Sequence, residues 1–449
     1  MNSQTKLVNN VEKDECNLME NLKKDYGTFK DARRLPVHRW FEYPAGYSPK
    51  FVEEKIKEFE LKKGALLFDP FLGSGTTCLA AKERGFSSIG IEAHSFVANI
   101  AEVKLNLNYN KDFILKSLNK IISSLGEEDI IALASKDYGE LPELLNKCYS
   151  EKNLINLLKI KNAIGKGCEE NSIKGFFNLA LTATLRKSSS AGTGWPYIAP
   201  TKYGSKKSEK DGILVFTQQV KLMAEDVHSL KERYPSYDLS TASVILGDSR
   251  KLRPELIGKI DLALTSPPYL NNFDYADRTR LETYFFGITK NWGDITKQFR
   301  NKLIVAATTQ THRKDFSPQN SISKEIMSCA PSLAKELTKK VIALSQARLQ
   351  KGGKKSYDVM VANYFNDLYP IIKNTFLYLK KNGGFVLVLG DSAPYGVHIP
   401  TELYIGELGK AIGFKDYKIE EIRKRGGKWA NNPQRHTVPL RESILTFYR

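Results

Sequence analysis

The stretch ALLFDPFLGSGTT, residues 65–77, joins a short apolar run to a glycine-rich turn and to the start of an amphipathic segment. Similar apolar runs recur along the chain and alternate with helical patterning; they occupy residues 88–92, 243–247, 261–265 and 384–390. Alternation of this kind predicts parallel strands joined by crossover helices. The expected fold class is therefore α/β, with a doubly wound sheet whose ligands bind at the carboxyl ends of the strands.

Two long intervals interrupt this alternation and differ in charge. Residues 111–240 carry 19 Lys plus Arg against 16 Asp plus Glu, whereas residues 294–356 carry 13 against 4. The first interval is predicted to be a largely helical insertion, since apolar residues recur at helical spacing in two core stripes. These stripes comprise Ile114, Leu118, Ile121 and Leu125, and then Phe216, Val220, Met223, Val227 and Leu230. The second interval is predicted to be a smaller basic insertion.

The predicted organisation has four parts. Residues 1–30 form a polar N-terminal arm, and residues 111–240 and 294–356 form the two insertions. The catalytic core is assembled from three separate segments, which are residues 31–110, 241–293 and 357–449.

The overall charge favours a polyanionic partner. The 449 residues include 68 Lys plus Arg and 50 Asp plus Glu, a net charge of +18, which points to nucleic acid. The five cysteines stand singly with no CxxC pair, so no metal site or disulfide framework is predicted; they are Cys16, Cys78, Cys148, Cys168 and Cys329. Isolated cysteines fit a reducing compartment, and the apolar runs are too short for an export signal or a membrane span. We therefore expect a cytoplasmic protein.

The DPFLGSGTT run has the features of a loop that holds a nucleoside cofactor. Gly73 and Gly75 allow a sharp turn and close approach of the backbone to a ligand, and the helix that follows offers free N–H groups. Asp69, at the strand end, can accept from a cationic amino group, and Phe71 and Thr76 are predicted to contribute to the same site. No Gly-Lys-Ser/Thr follows, which excludes a Walker phosphate loop. The alternative is a plain tight turn.

Two further acidic residues end predicted strands. Glu92 follows the glycines by about 20 residues, where a carboxylate can accept both ribose hydroxyls of a nucleoside. Asp248 ends a third strand and is predicted to accept from the adenine amino group. A solvated acid at a strand end is the alternative for either residue alone.

The TSPPY motif, residues 265–269, immediately follows another predicted strand. Pro267 and Pro268 lack N–H donors and fix the backbone, so the motif forms a rigid rim rich in acceptors. The Ser266 hydroxyl and the Pro267 carbonyl are placed to accept from an exocyclic amino group of a base, which favours a pyramidal nitrogen that attacks a sulfonium methyl. Tyr269 offers a face for stacking the base and for stabilising developing positive charge. A proline-rich loop that packs a tyrosine is the alternative.

These motifs resemble the amino-group DNA methyltransferases of bacterial restriction-modification systems, in the subgroup with Ser-Pro-Pro-Tyr. DPFLGSGTT resembles the cofactor motif of that family, TSPPY its catalytic motif, and HRWFEYPAGYSP, residues 38–49, the segment that packs over the cofactor. The similarity extends through residues 383–392 and 435–447. The resemblance implies a Rossmann-like methyltransferase sheet, S-adenosylmethionine as methyl donor, base flipping and duplex DNA as substrate. A serine in first place mostly accompanies N4 methylation of cytosine in that family, whereas Asp or Asn mostly accompanies N6 methylation of adenine.

The chain departs from the usual layouts of that family in its target-recognition region. Little sequence separates Asp248 from Ser266 or follows the last core strand, so recognition is expected in one of the insertions. Charge density favours residues 294–356 as the recognition region. Residues 186–210 are expected to be accessory, because they carry six basic residues against one acidic residue and include the flexible SSSAGTG run. The predicted DNA contacts are Arg186, Lys187, Lys302, Arg313 and Lys314, with Gln298, Asn301, Gln310 and Gln319 as readers of base edges. A solvated basic face is the alternative.

Three other functions use the same motifs. They are an N6-adenine DNA methyltransferase, an RNA amino-methyltransferase, and a DNA-binding subunit that kept the fold without activity. No RNA-binding module is recognisable, and the intact motif residues argue against the inactive subunit. The cytosine N4 methyltransferase is therefore the favoured hypothesis, with a restriction endonuclease as a candidate partner.

Overall fold

The structure is a computed structural model. It describes residues 26–43, 46–108, 110–126, 141–168, 170–191, 198, 210–235, 240–425 and 438–449. Several parts of the sequence discussed above lie outside the described residues. They are most of the predicted N-terminal arm with Cys16, the greater part of residues 186–210 with part of the SSSAGTG run, residues 44–45 of HRWFEYPAGYSP, and residues 435–437.

The described strands form one seven-stranded sheet. They are β1 (Leu66–Asp69), β2 (Ser87–Glu92), β3 (Ala242–Leu246), β4 (Ile260–Thr265), β5 (Leu379–Gly390), β6 (Asp416–Arg425) and β7 (Leu440–Tyr448). The strand order is β3-β2-β1-β4-β5-β7-β6, in which the first five strands are parallel and β7 is antiparallel to both its neighbours. The chain thus winds outward from β1 in one direction and from β4 in the other. The crevice between β1 and β4 is the topological switch point of the sheet.

Helices cover both faces of this sheet. The described α-helices are α1 (Pro49–Glu58), α2 (Thr76–Glu83), α3 (Ser95–Leu105), α4 (Lys111–Ser123), α5 (Glu143–Cys148), α6 (Glu151–Gly167), α7 (Asn171–Ser188), α8 (Gly212–Arg233), α9 (Tyr275–Arg278), α10 (Arg280–Phe285), α11 (Trp292–Gln298), α12 (Lys324–Cys329), α13 (Pro331–Gln350), α14 (Tyr357–Tyr378) and α15 (Thr401–Ile412). Several begin at side chains that cap the first free N–H groups; for example, Asp211 accepts from Ile213 and Leu214 ahead of α8.

The central strands are apolar on both faces because both faces are buried. Leu262, Leu264 and Val386 pack with α1 and α2, whereas Ala263 and Phe385 point to the opposite face and pack with α13 to α15. The helices of residues 111–240 add a third cluster, which packs against α3. The two predicted core stripes are confirmed, since their residues are buried except Leu125, which is partly buried.

The antiparallel pair β6 and β7 is the part of the sheet that the apolar runs did not indicate. Seven of the ten residues of β6 are charged, so the strand lacks the apolar pattern used to predict the others. The five predicted strands agree with β1 to β5, and the α/β class with a Rossmann-like sheet is confirmed. Among the described residues, no helix is both long and apolar enough to cross a membrane.

Candidate active site

A cavity lies at the switch point, where the segments after β1, β2, β3 and β4 meet. This switch-point cavity is also lined by Tyr43, Tyr47, Tyr275 and residues 302–304. Both sequence motifs border it, because the glycine-rich turn follows β1 and TSPPY follows the adjacent β4. The topology therefore brings together residues that are nearly 200 positions apart in the sequence.

The two glycines of the turn have different roles. Gly73 (φ 54°) lines the cavity, and a Cβ there would lie 3.4 Å from the ring of Tyr43. Gly75 (φ 90°) precedes α2, and its Cβ would lie 3.3 Å from that of Ala101 in α3. Both positions have the left-handed conformation that favours glycine. Gly73 thus keeps the cavity open, and Gly75 permits close packing of α2 against α3.

Phe71 and Thr76, the other predicted members of the turn, also line the cavity. A buried amine supports the turn from behind: Nζ of Lys104 in α3 donates to the Ser74 carbonyl at 2.8 Å. Burial lowers the pKa of this lysine to about 7. No local pattern indicated that a lysine in this position would be buried.

Asp69 differs from its expected role. It is not among the residues that line the cavity, and its carboxylate accepts from Thr265 Oγ1 at 2.6 Å and from the Phe71 N–H at 2.9 Å. It also accepts from Thr77, whose hydroxyl bonds to Tyr47. Burial raises the pKa of Asp69 to about 6, although these donors oppose the shift. The carboxylate therefore fastens the turn after β1 to the end of β4 instead of facing a ligand.

Glu92 has the geometry expected of a ribose acceptor. Its Oε2 accepts from the Gly73 N–H at 2.8 Å and its Oε1 from the His94 N–H at 2.8 Å, and it lines the cavity. Burial raises the pKa of Glu92 to about 7 against the effect of these two hydrogen bonds. Since an ionised carboxylate has about four acceptor positions, each oxygen can still accept from a ligand.

Asp248 also lines the cavity, but it already has a strong partner. Arg250 donates to it through Nε and Nη2, at 3.0 Å and 2.9 Å, and to Asp367 through Nη1 at 2.7 Å. Asp367 in turn accepts from the Val305 N–H at 2.9 Å. This chain of contacts holds residues 302–305 against the cavity.

The TSPPY motif borders the cavity through Ser266 and Pro268. The Ser266 hydroxyl is buried, lies close to the Tyr269 hydroxyl and accepts no hydrogen bond among the described residues. No described group donates to the carbonyl of Pro267. The Pro268 carbonyl does have a partner, since it accepts from Tyr364 at 3.0 Å. Of the two proline carbonyls, only that of Pro267 therefore matches the expectation of an uncommitted acceptor.

Tyr269 points away from the cavity into a second cleft, which we call the tyrosine cleft. This cleft is lined by Gly27, Thr28, Phe29, Lys30, Arg33, Gly46, Tyr269, Asn272, Phe273, Arg423, Arg425 and Glu442. The Tyr269 hydroxyl donates to Glu442 Oε1 at 2.8 Å, and the Arg425 guanidinium lies 5.4 Å from the ring centre. Burial, with a contribution from Glu442, raises the pKa of Tyr269 well above its usual value. Tyr269 is 5% exposed, so stacking of a base on its ring requires the residues around it, Arg425 among them, to move.

The predicted DNA contacts have diverse environments. Arg186 forms a largely buried ion pair with Glu282, Lys187 donates to Gln219 at 2.6 Å, and Arg313 pairs with the buried Asp358. Lys302 lines the switch-point cavity, and Lys314 is exposed. The structure thus gives Arg186 and Arg313 protein partners, and their DNA contacts stay predictions.

The predicted base-edge readers also have varied surroundings. Gln310 is buried and lines the switch-point cavity, and its amide bonds to backbone groups of residues 304–307. Gln298 donates to the Ile288 carbonyl at 2.8 Å, whereas Asn301 and Gln319 are exposed. The structure therefore commits Gln310 to its own loop.

Several residues of the two cavities were missed by the sequence reasoning. Tyr43 and Tyr47 lie in HRWFEYPAGYSP, so only the family resemblance pointed to them. Arg423 and Arg425 belong to β6, for which no local signal existed, and Glu442 lies in β7 within the stretch of family similarity, where it was not singled out. Groups of His, Cys, Asp or Glu that could hold a metal ion are absent from the described ranges.

Comparison with known proteins gives consistent matches. A family model described as "DNA methylase" matches residues 5–103, which include the glycine-rich turn and Glu92. The Type II methyltransferase M.AvaI of Nostoc sp. is 25% identical over 423 residues, which cover 91% of this chain and 85% of the relative. M.BsoBI of Geobacillus stearothermophilus is 24% identical over 446 residues, covering 93% and 86%. M.MjaII of Methanocaldococcus jannaschii is 35% identical over 123 residues, covering 26% and 22%.

The strand order, together with a glycine-rich turn and a strand-end acid around the switch point, is consistent with a Rossmann-like methyltransferase fold. The motif resemblance to the amino-group DNA methyltransferases of bacterial restriction-modification systems is confirmed by the family match and by the two relatives that extend over nine-tenths of the chain.

Proposed function

We propose that this protein transfers a methyl group from S-adenosylmethionine to the exocyclic N4 of a cytosine flipped out of duplex DNA. One observation carries the proposal. The Ser266 hydroxyl, buried and accepting no hydrogen bond among the described residues, lies on the wall of the switch-point cavity, while Tyr269 of the same motif lines the tyrosine cleft. A hydrogen-bond donor of a ligand, placed where the switch-point cavity and the tyrosine cleft meet, would find the Ser266 hydroxyl free to accept.

The residues of the switch-point cavity fit S-adenosylmethionine. Glu92 keeps free acceptor positions for ribose hydroxyls, and Gly73 leaves room for close contact with the backbone. Tyr43, Tyr47 and Phe71 provide aromatic surface on the same walls. S-adenosylmethionine supplies an electrophilic methyl group when bound. The protein's contribution is to hold the nucleoside and to exclude water from the end of the cavity near Ser266.

The TSPPY residues then prepare the amino group of the base. One N–H of the amino group donates to the Ser266 hydroxyl and the other to the Pro267 carbonyl. These two hydrogen bonds draw the nitrogen out of conjugation with the ring and direct its lone pair toward the cavity. The prolines keep both acceptors in place without reorganisation, which is the condition for electrostatic stabilisation of a transition state.

Duplex DNA is the proposed substrate, and the carboxyl edge of the sheet is the surface that would receive it. The loop between α13 and α14 carries the exposed lysines Lys351, Lys354 and Lys355. Because α14 runs back to the amino end of β5, its first residue lies near the carboxyl edge, where Tyr357 contacts Tyr395 at 4.7 Å between ring centres. The loop charges thus lie on the same side of the sheet as the two cavities.

The test is to incubate the purified protein with unmethylated plasmid DNA and isotope-labelled S-adenosylmethionine, digest the DNA to nucleosides and identify the product by mass spectrometry. Labelled N4-methylcytosine supports the proposal. Labelled N6-methyladenine alone would replace the target base and leave the amino-group chemistry in place. Cofactor binding by calorimetry without any DNA methylation would contradict the enzymatic function. Label in RNA from a parallel incubation, with none in DNA, would change the substrate.

A further inference from the structure

Arg423 lies on the wall of the tyrosine cleft and is held there by a buried carboxylate. Its Nε donates to Oε2 of Glu442, and the other oxygen of that carboxylate accepts from Tyr269 at 2.8 Å. Glu442 is 1% exposed, whereas the side chain of Arg423 is 36% exposed. The buried carboxylate thus connects an accessible guanidinium directly to the catalytic motif, and the charge of Glu442 is balanced by that guanidinium.

The cleft also restricts the movement of this ion pair. The backbone at Gly27 passes so close to Glu442 that a Cβ at Gly27 would lie 2.4 Å from Oε2. With Nε engaged by Glu442, the terminal nitrogens of Arg423 have no acceptor among the described residues and form a fork of donors at the wall of the cleft. A fork that is fixed in advance loses little side-chain entropy when it binds two acceptors.

Cytosine and adenine present different edges to such a fork. Next to its amino group, cytosine carries N3 and then O2, which are two adjacent acceptors. On the same Watson–Crick edge, adenine carries N1 beside its amino group, followed by a C–H. A guanidinium can donate to two adjacent acceptors at once, and enzymes that flip a base read it by hydrogen bonds to this edge.

We propose that Arg423, oriented by Glu442, recognises N3 and O2 of the flipped base and thereby selects cytosine. The inference rests on the proposed methylation of a flipped base beside Tyr269 and adds a selectivity determinant supplied by β6 and β7. It gives the antiparallel pair a function in the reaction. The cytosine preference then has a cause that is independent of the serine in TSPPY.

The matched variants are Arg423→Gln and Lys424→Gln. Both remove one positive charge from the same strand, but Lys424 is exposed and is not among the residues lining the cleft. We expect Arg423→Gln to lower kcat/KM for cytosine methylation by about 30-fold, the range of one bidentate contact with a base, and Lys424→Gln to change it less than about threefold. Arg423→Lys should recover only part of the loss, because a lysine cannot present the fork.

A base analogue separates recognition from a merely structural role. The substrate is a duplex with the sequence that the wild-type protein methylates, in which the target is cytosine or 3-deazacytosine; the analogue keeps the amino group and lacks the N3 acceptor. The wild-type protein should methylate the analogue at least about tenfold more slowly, whereas Arg423→Gln and Arg423→Lys should show a smaller penalty for the same change. Unchanged cofactor affinity confirms that each variant is folded.

Two results would overturn the inference. One is equal loss from Arg423→Gln and Lys424→Gln, and the other is an analogue penalty that is the same in the wild-type protein and in both Arg423 variants. Failure of the proposed function is a separate result, because it would appear as an absence of N4-methylcytosine in the product of the wild-type protein.

Discussion

At the scale of single residues, the site depends on a few acceptors whose partners determine their roles. Asp69 and Glu92 are both carboxylates at strand ends, yet the first is surrounded by donors of the protein and the second keeps positions free on a cavity wall. The local sequence could indicate that both acids are important. It could not separate their roles, because the Thr265 hydroxyl that engages Asp69 comes from a strand 196 residues away.

The raised pKa of Glu92 makes cofactor affinity dependent on pH. The ionised form of Glu92 accepts the ribose hydroxyls, so bound S-adenosylmethionine favours ionisation of this carboxyl group. The affinity for the cofactor therefore rises with pH until Glu92 is already ionised in the free protein, where its pKa is about 7. Calorimetry between pH 5.5 and pH 8.5, a range of about three units, should show affinity falling by up to about tenfold per unit below pH 7 and constant above it.

The control for this dependence is Glu92→Gln, which cannot ionise. We expect this variant to bind S-adenosylmethionine about 10- to 100-fold more weakly, the effect of weakening hydrogen bonds to a charged group, and to show no change in affinity across this pH range. Wild-type affinity in Glu92→Gln would remove Glu92 from the ribose site.

Ser266 and Tyr269 should affect different steps of the reaction. Ser266→Ala removes an acceptor of the amino group and is expected to lower the single-turnover rate on bound DNA by about 10- to 100-fold, with DNA affinity little changed. Tyr269→Ala removes the stacking surface and should mainly weaken productive base binding, seen as a higher KM. Ser88→Ala, which removes a buried hydroxyl from β2 away from the cavity, should change neither the single-turnover rate nor KM. An equal decrease of the rate in Ser88→Ala would contradict the role assigned to Ser266.

At the scale of secondary-structure elements, ion pairs join the insertions to the segment that follows TSPPY. Arg186 in α7 pairs with Glu282 in α10 and donates to the Arg278 carbonyl, and Asp274 ahead of α9 pairs with Arg300 at 2.7 Å. The sequence predicted the strands and the glycine-rich turn because their signals are local. Ion pairs between distant segments have no such signal, so Arg186 could be assigned only by its charge and was predicted to contact DNA.

Arg186→Ala should therefore affect stability more than DNA binding. Glu282 is fully buried and would keep only the 3.4 Å contact with Arg278, so we expect a loss of about 3 kcal/mol in the free energy of unfolding, measured by urea denaturation. The salt dependence of DNA binding should be unchanged. Lys314→Ala removes an exposed charge and should leave stability within about 0.5 kcal/mol of the wild-type protein. Equal stability of the two variants, with a shallower salt slope for Arg186→Ala, would restore the predicted DNA contact.

At the scale of the whole molecule, the sheet topology explains the distribution of charge. The switch-point cavity is at the carboxyl edge, and exposed lysines of the basic insertion lie on that side. The excess of positive charge in residues 294–356 was readable from the sequence. The sequence could not show which of these charged residues line the switch-point cavity, as Lys302 does, and which face solvent. That division depends on how the segment folds back over β3 and β4.

Salt dependence of DNA binding tests which edge of the sheet receives the duplex. Replacing Lys351, Lys354 and Lys355 by Gln should reduce the slope of log affinity against log salt by up to about 2.7, since each phosphate contact contributes about 0.9. The matched control replaces Lys62, Lys63 and Lys381, three exposed lysines at the amino ends of β1 and β5, and should leave the slope unchanged. The reverse result would place the duplex on the opposite edge.

The charged strand β6 also bears on how separate molecules behave toward each other. As the last strand of the described sheet, it offers unpaired backbone groups that could extend the sheet into another chain. Seven charged side chains among ten residues make such edge-to-edge pairing unfavourable and so oppose aggregation. Arg423 and Arg425 belong to this set. Neutralising them to alter base selection would therefore also be expected to reduce solubility, so a change in colloidal behaviour should be measured beside any change in activity.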